Sequence, residues 1–306
     1  MSMMVYNYNA QPEFEQALCR TLQARPGRFE MRSFPDGESY IRVLDHCAGR
    51  SVVVLANLHQ PDSHFLRLAL LGETLKDLGA ARVILALPYL PYMRQDIRFQ
   101  PGEGVTSRYF ARMVSDIFDG LVTIDPHLHR YHSLDEIYQI PSLVGHAHGQ
   151  IARWIATHIE RPVIVGPDEE SAQWVTDTAQ LIGCPVLVLR KTRYGDRDVR
   201  IDVPELVHYR GATPVLMDDI ISTGRTMLEA ARHLADAGMS AACCIGIHGV
   251  FADAAYRDML NGPVARVVTT NSIPHASNGI AVEDILANAA RALCQEQLGL
   301  KLSGAA

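Results

Sequence analysis

Short runs rich in β-branched residues alternate with longer amphipathic stretches along this chain, and the pattern occurs twice. The alternation admits few architectures. Strands separated by helices find their partners in parallel through helical crossovers and are covered on both faces. In the first half, runs 51–58, 81–88 and 120–125 read as strands, with helices near 64–78 and 107–118. In the second, runs 162–166, 185–190, 214–218, 241–248 and 266–270 read as strands, with helices near 171–182 and 226–237. A length of 306 residues suits two such bodies, each with its own core. The expected fold is α/β: two similar domains over residues 1–146 and 147–306, each a mainly parallel sheet flanked by helices. Pro141, Gly145 and Gly149 mark a junction near 142–150.

Charged residues make up 20% of the chain and apolar residues 48%, which excludes extended disorder. The net charge of -6 speaks against general nucleic-acid binding, which needs a basic surface, so any anion site must be built locally. No stretch of about 20 apolar residues could span a bilayer. Tyr6, Asn7, Tyr8 and Asn9 interrupt what a secretory leader would need. The six cysteines show no metal-ligand spacing and read as buried thiols of a cytoplasmic protein.

Ligands of open α/β sheets sit beyond the carboxyl ends of strands, and the unusual residues fall there. In Val215-Leu216-Met217-Asp218-Asp219-Ile220-Ile221-Ser222-Thr223-Gly224-Arg225-Thr226, an apolar strand leads into two acids, a hydroxyl-rich loop and a helix. A helix N-terminus offers free N–H groups and the positive end of a dipole, a seat for phosphate. Two carboxylates suit the vicinal hydroxyls of a ribose. The plainer account is a helix capped by Ser222 or Thr223, with two solvated acids ahead of it.

With this segment the chain resembles the phosphoribosyltransferase superfamily, and the remaining segments resemble its ribose-phosphate pyrophosphokinase family, from Phe34 to about His275. The resemblance implies a type I phosphoribosyltransferase-like fold and transfer of a diphosphate from ATP to ribose 5-phosphate with Mg²⁺. It also implies that Asp218 and Asp219 hold the ribose, while Ser222, Thr223, Gly224, Arg225 and Thr226 hold its phosphate. Ser222 stands where the family often has an acid and Arg225 where it usually has Gly. Arg225 adds charge to a phosphate site, and its side chain could also crowd the loop.

Four further segments follow. Pro88-Tyr89-Leu90-Pro91-Tyr92-Met93-Arg94-Gln95-Asp96 reads equally well as a phosphate-binding fork or as a Pro-stiffened loop with a surface Arg. The resemblance makes Arg94, Gln95 and Asp96 part of an ATP site. Phe34-Pro35-Asp36-Gly37-Glu38 is turn chemistry. By resemblance it is an adenine-recognition loop that reaches into a neighbouring subunit, with Phe34, Asp36 and Glu38 contacting ATP. A homo-oligomer follows, at least a dimer and compatible with a hexamer.

His127, in Asp125-Pro126-His127, and Asp168, in Gly166-Pro167-Asp168, are the metal ligands implied by the family, sparse as Mg²⁺ sites are. Leu128-His129-Arg130 replaces the small residues of the common bacterial form. Lys191 and Arg193 lie in a run that reads by itself as a solvated basic loop. The family places such residues over the transferring phosphates, as catalytic groups. No Gly-x-x-x-x-Gly-Lys-[Ser/Thr] loop and no Gly-x-Ser-x-Gly elbow is present. A phosphoribosyltransferase or a non-catalytic regulatory homologue are the alternatives.

Overall fold

Val52, Val53, Val54 and Leu55, like Val83, Leu85, Ala86 and Leu87, lose all exposure on both sides of their strands. Only a central strand covered on both faces meets that condition. The computed structural model describes residues 3–168, 171–193, 199–202, 209 and 211–303, with the side chains of 173, 190–202 and 296–303 outside the description.

The first half runs β1 (Met4–Asn7), α1 (Pro12–Leu22), β2 (Arg25–Pro26), β3 (Phe29–Ser33), β4 (Ser39–Val43), β5 (Ser51–Leu55), α2 (Phe65–Asp77), β6 (Arg82–Leu87), α3 (Thr106–Ile117), β7 (Gly120–Ile124) and β8 (Ser142–Gly145). The second runs α4 (His148–His158), β9 (Pro162–Gly166), α5 (Ala172–Ile182), β10 (Val186–Val188), β11 (Arg190–Arg193), β12 (Val199–Asp202), β13 (Thr213–Ile221), α6 (Arg225–Asp236), β14 (Ala242–Gly249), α7 (Ala255–Leu260), β15 (Val264–Thr270), β16 (Asn278–Ile280) and α8 (Glu283–Ser303).

Two parallel six-stranded sheets result, in the orders β2-β1-β5-β6-β7-β8 and β10-β9-β13-β14-β15-β16. Position by position these are the same order, so the repeat expected from the twofold sequence pattern is plain in the topology. Each half also places an antiparallel hairpin at the same point of the path, β3 with β4 and β11 with β12. Each sheet has its own core. Leu68, Leu71 and Leu75 of α2 pack with Phe110 and Val114 of α3 over Val52, Val54 and Leu85. In the second, Met227, Ala231 and Leu234 of α6 pack over Val163, Leu216 and Cys244.

Contacts divide the chain at Gly145 and again at Glu283, so α8 belongs with the first sheet, and residues 146–282 form the second unit. This departs from the expected second domain, which ran to 306. The cause is the apolar face of α8. Leu286, Ala287, Ala290 and Leu293 recur at helical spacing and are buried, and the helix packs on α1, β7 and β8. Amphipathic spacing says that a helix covers a sheet but not which one. The repeat supplies the answer, because α4 packs in the same way on α5 and β16 of the second unit. The last helix therefore stands to the first sheet as α4 stands to the second. In the junction region, Ser142–Gly145 is an edge strand and His148 opens a helix.

Truncating the fully buried Leu286 to Ala should cost about 2–4 kcal/mol, the range for a large core residue. Hydrogen exchange should show protection lost in α1, β7 and β8 and retained in β13 and β14. Loss confined to the second sheet would refute this assignment of α8.

Candidate active site

An open parallel sheet has its crevice where successive connections leave in opposite directions, at the carboxyl ends of the strands. In the second sheet that point lies between β9 and β13. Pairing of β13 with β9 stops at Leu216, while pairing with β14 continues to Ile221. Asp218 and Asp219 therefore ride on a stretch of strand open on its β9 side, and Asp168 follows the end of β9.

Burial pushes the Asp218 carboxyl up to about 8, and the charges of Asp219 and Asp168 push it the same way. The Asp219 N–H donates to Asp218 Oδ1 at 3.0 Å. Asp168 Oδ1 accepts the Ser171 N–H at 3.1 Å, which ties the acid to the start of α5. Carboxylates gathered in this way call for protons, hydroxyl donors or a cation to offset their repulsion. A hard divalent cation and the hydroxyls of a sugar both meet that demand.

Next to the acids, Gly224 is the N-cap of α6 with φ 68°, and no side chain caps the helix. A Cβ at Gly224 would lie 2.8 Å from Met259 Sδ, so glycine is required both by the left-handed backbone and by the space. The plain helix-cap account of Ser222 and Thr223 is thus not what the fold shows. Arg225 is the first helical residue and is exposed, as are Thr223 and Thr226.

The loop is braced from β14. Val250 N–H and Phe251 N–H both donate to Ile221 O at 3.0 Å, and Ala252 N–H donates to Ser222 O at 3.0 Å. Phe251 packs against His275 with ring centroids 4.4 Å apart and planes tilted by 33°, and meets Tyr256 edge-on. Sequence reasoning missed this brace. Its members come from three separate segments and match no pattern.

In the first unit the equivalent crevice, between β1 and β5, is closed by a reciprocal pair. Asn57 N–H donates to Asn9 Oδ1 at 2.7 Å, and Asn9 Nδ2 donates to Asn57 O at 2.9 Å. The expected ligand residues lie instead on the loops after the neighbouring strands β6 and β7. Arg94 is exposed, and Gln95 Oε1 accepts the Thr106 hydroxyl at 3.2 Å. Asp96 is 3% exposed, and its Oδ1 accepts from Arg130 Nη1 at 2.8 Å. Its carboxylate therefore ties the loop after β6 to the loop after β7. His127 follows β7, and its Nδ1 lies 3.0 Å from His129 Nε2. Arg130 and His129, read in the sequence only as departures, are thus part of this edge.

Phe34, Asp36 and Glu38 occupy the exposed turn between β3 and β4. Gly37 N–H donates to Phe34 O, Phe34 N–H donates to Glu38 O, and Gly37 has φ 95°, so a hydrogen-bonded four-residue turn ends on a left-handed glycine. Asp36 Oδ1 accepts the Glu38 N–H. Phe34 stands edge-on to Tyr40 with the Arg32 guanidinium over both rings, and remains 39% exposed. Lys191 and Arg193 lie on β11, the hairpin strand that corresponds to β3, with their side chains outside the described residues.

Residues 3–117 match the N-terminal domain of ribose phosphate pyrophosphokinase, and residues 133–285 match the phosphoribosyl transferase domain. The ribose-phosphate pyrophosphokinase of Sulfurisphaera tokodaii is 30% identical over 289 residues, covering 92% of this chain and 97% of that one. That of Sulfolobus acidocaldarius is 30% identical, covering 94% and 99%. The crystal structure of phosphoribosylpyrophosphate synthetase from Mycobacterium smegmatis superposes with a TM-score of 0.85 at 25% identity, covering 97% of this chain and 100% of that one. With such likeness along nearly its whole length, the chain belongs to the ribose-phosphate pyrophosphokinase family.

Proposed function

We propose that the protein is a ribose-phosphate diphosphokinase, converting ATP and ribose 5-phosphate to 5-phosphoribosyl 1-diphosphate and AMP. The observation that carries this reading is the crevice between β9 and β13, where three carboxylates adjoin a helix start that no side chain caps. Asp218 and Asp219 accept hydrogen bonds from the ribose hydroxyls, and the N–H groups and hydroxyls of 222–226 take the 5-phosphate. The anomeric oxygen attacks the β-phosphorus of ATP in line, the bond from that phosphorus to the oxygen bridging to the α-phosphate breaks, and AMP leaves. The hydroxyl proton passes to solvent.

Such a reaction is governed by positioning and charge neutralisation and needs no covalent nucleophile. Arg94 and Gln95 orient ATP, while Lys191 and Arg193 neutralise the transferring phosphates. The acid set at Asp168 and Asp218 fits a hard cation; Asp168 and His127 would each offer a ligand to Mg²⁺, which would supply charge neutralisation to the triphosphate. No helix among the described residues is long and apolar enough to cross a membrane. We place the enzyme in the cytoplasm.

Release of AMP from ATP tests the reaction. It should require both ribose 5-phosphate and a divalent cation, and it should stop in excess chelator. AMP formed equally without the sugar phosphate, or full turnover in chelator, would refute the proposal. No AMP under any condition would instead favour a regulatory homologue.

The exposed Phe34 supports an assembly in which this turn completes the ATP site of a second copy, since an aromatic ring still 39% exposed at a turn gains from burial in a neighbour. Phe34→Ala should raise KM for ATP and leave ribose 5-phosphate binding nearly intact. Asp219→Ala should do the opposite. Mixing the two impaired proteins should restore part of the activity, because some hybrid sites draw on two intact halves. No recovery despite demonstrated subunit exchange would show that each ATP site is built within one chain.

A further inference from the structure

Successive carbonyls along a β-strand point to opposite sides, and so do its N–H groups. At the end of β13 that alternation breaks. Ile221 O accepts from both Val250 N–H and Phe251 N–H at 3.0 Å, and Ser222 O accepts from Ala252 N–H, also at 3.0 Å. Two consecutive carbonyls therefore face the turn that follows β14. The peptide bonds here are trans, and in a trans peptide the N–H points opposite to the carbonyl of the same unit. The N–H groups of Ser222 and Thr223 are in consequence turned together to the other side of β13. That side is the open one, because pairing with β9 ends at Leu216. Successive N–H groups on one side form a concavity suited to an anion.

The turn does not take this shape by local preference. Phe251 has φ 43° and Asp253 φ 52°, left-handed conformations that persist in residues with side chains only where the surroundings enforce them. The enforcement comes from the loop after β15. The Phe251 ring packs on His275, and Tyr256 meets both rings, with centroids 5.3 Å and 4.7 Å away. His275 is itself anchored. Its Nδ1 accepts the Ser277 N–H at 3.1 Å, its backbone N–H donates to Asn278 Oδ1 at 2.9 Å, and Ser277 Oγ lies 2.8 Å from Thr269 Oγ1 of β15. A buried set fixes the start of the turn, where His248 Nδ1 lies 2.8 Å from Ser272 Oγ and Thr270 Oγ1 donates to Ile247 O at 2.7 Å. Gly249 leaves room for the ring, since a Cβ there would stand 2.6 Å from Phe251 Cε2.

We propose that Phe251, seated on His275, is a positioning residue for the sugar phosphate. It keeps the Ile221 and Ser222 carbonyls on the β14 side, and so keeps the Ser222 and Thr223 N–H groups turned toward the anion. The identity of the anion rests on the diphosphokinase reading, whereas the hold of the turn on the loop stands on the backbone hydrogen bonds themselves. A ring that only filled space would change stability and leave affinity for the sugar phosphate alone.

Calorimetric titration with ribose 5-phosphate and Mg²⁺, beside steady-state AMP release, tests this in wild type, Phe251→Ala, His275→Ala and Phe251→Tyr. The two Ala variants should weaken ribose 5-phosphate binding and raise its KM by about tenfold or more, the scale on which displaced positioning groups are felt, with kcat and the KM for ATP within about twofold of wild type. Phe251→Tyr, which keeps the ring, should restore both. Amide exchange in the ligand-free proteins should show protection of Val250, Phe251 and Ala252 lost in the Ala variants and kept in Phe251→Tyr. Protection of β9 and β14 in the same spectra identifies a folded protein, and His275→Ala decides the matter if Phe251→Ala does not fold. Unchanged ribose 5-phosphate affinity in a folded Ala variant would overturn the proposal, as would an equal rise in the KM for ATP. Binding that weakens as expected with no AMP release from any protein sinks only the reaction, and AMP release with unaltered affinities sinks only the positioning role.

Discussion

Mutual repulsion among Asp168, Asp218 and Asp219 is the constraint on which the functional half of this structure turns. β9 and β13 are neighbours whose connections leave in opposite directions, so acids placed at their carboxyl ends have to converge. Burial raises the Asp218 carboxyl, and its two acidic neighbours add to the shift. A fold that tolerates such a cluster holds it for a ligand that relieves it. Beside the acids stands a helix start with no capping side chain, which asks for an anion. Few small molecules answer both demands at once, and a phosphorylated sugar is one.

The same topology used twice shows how a site is made or withheld. In the first unit the crevice between β1 and β5 is closed by the paired Asn9 and Asn57, which satisfy one another through side chain and backbone. There the residues expected to meet ATP lie on the loop after β6, joined to the loop after β7 by the buried Asp96 and the exposed Arg130. In the second unit the crevice stays open and acidic. The two hairpins also correspond, so the exposed aromatic turn at Phe34 and the strand bearing Lys191 and Arg193 occupy equivalent places in the two halves.

The central strands were legible because their apolar runs are long and bounded by turns. The runs 51–58, 81–88 and 162–166 contain β5, β6 or β9 with ends within a few residues. The strand β1, the hairpin β3 with β4, and the edge strands β8 and β16 were not legible, since strands of three to five residues with mixed polarity carry no clear period. The helix α4 was hidden by the two glycines near it, read as a hinge. At the site, Asp218, Asp219 and Gly224 could be placed from sequence because they lie in one run. The ion pair that buries Asp96 could not, as its partner Arg130 is 34 positions away. Neither could the meeting of His127 with His129, which depends on the turn at Asp125.

The most direct measurement follows unfolding of ligand-free and ribose 5-phosphate-loaded protein, wild type and Asp218→Asn, across pH. The folded-state pKa of Asp218 is raised above its unfolded value, so its contribution to stability is intact below about pH 4 and is lost as pH rises toward about 8. Asp218→Asn should therefore stabilise the free protein at pH 9 and change it little at pH 4. Ribose 5-phosphate with Mg²⁺, at a concentration 100 times its Kd, should raise wild-type stability by about 2.7 kcal/mol, and it should raise that of Asp218→Asn far less. Equal stabilisation of both proteins by the sugar phosphate would contradict the account, because the ligand would then bind without the acidic crevice.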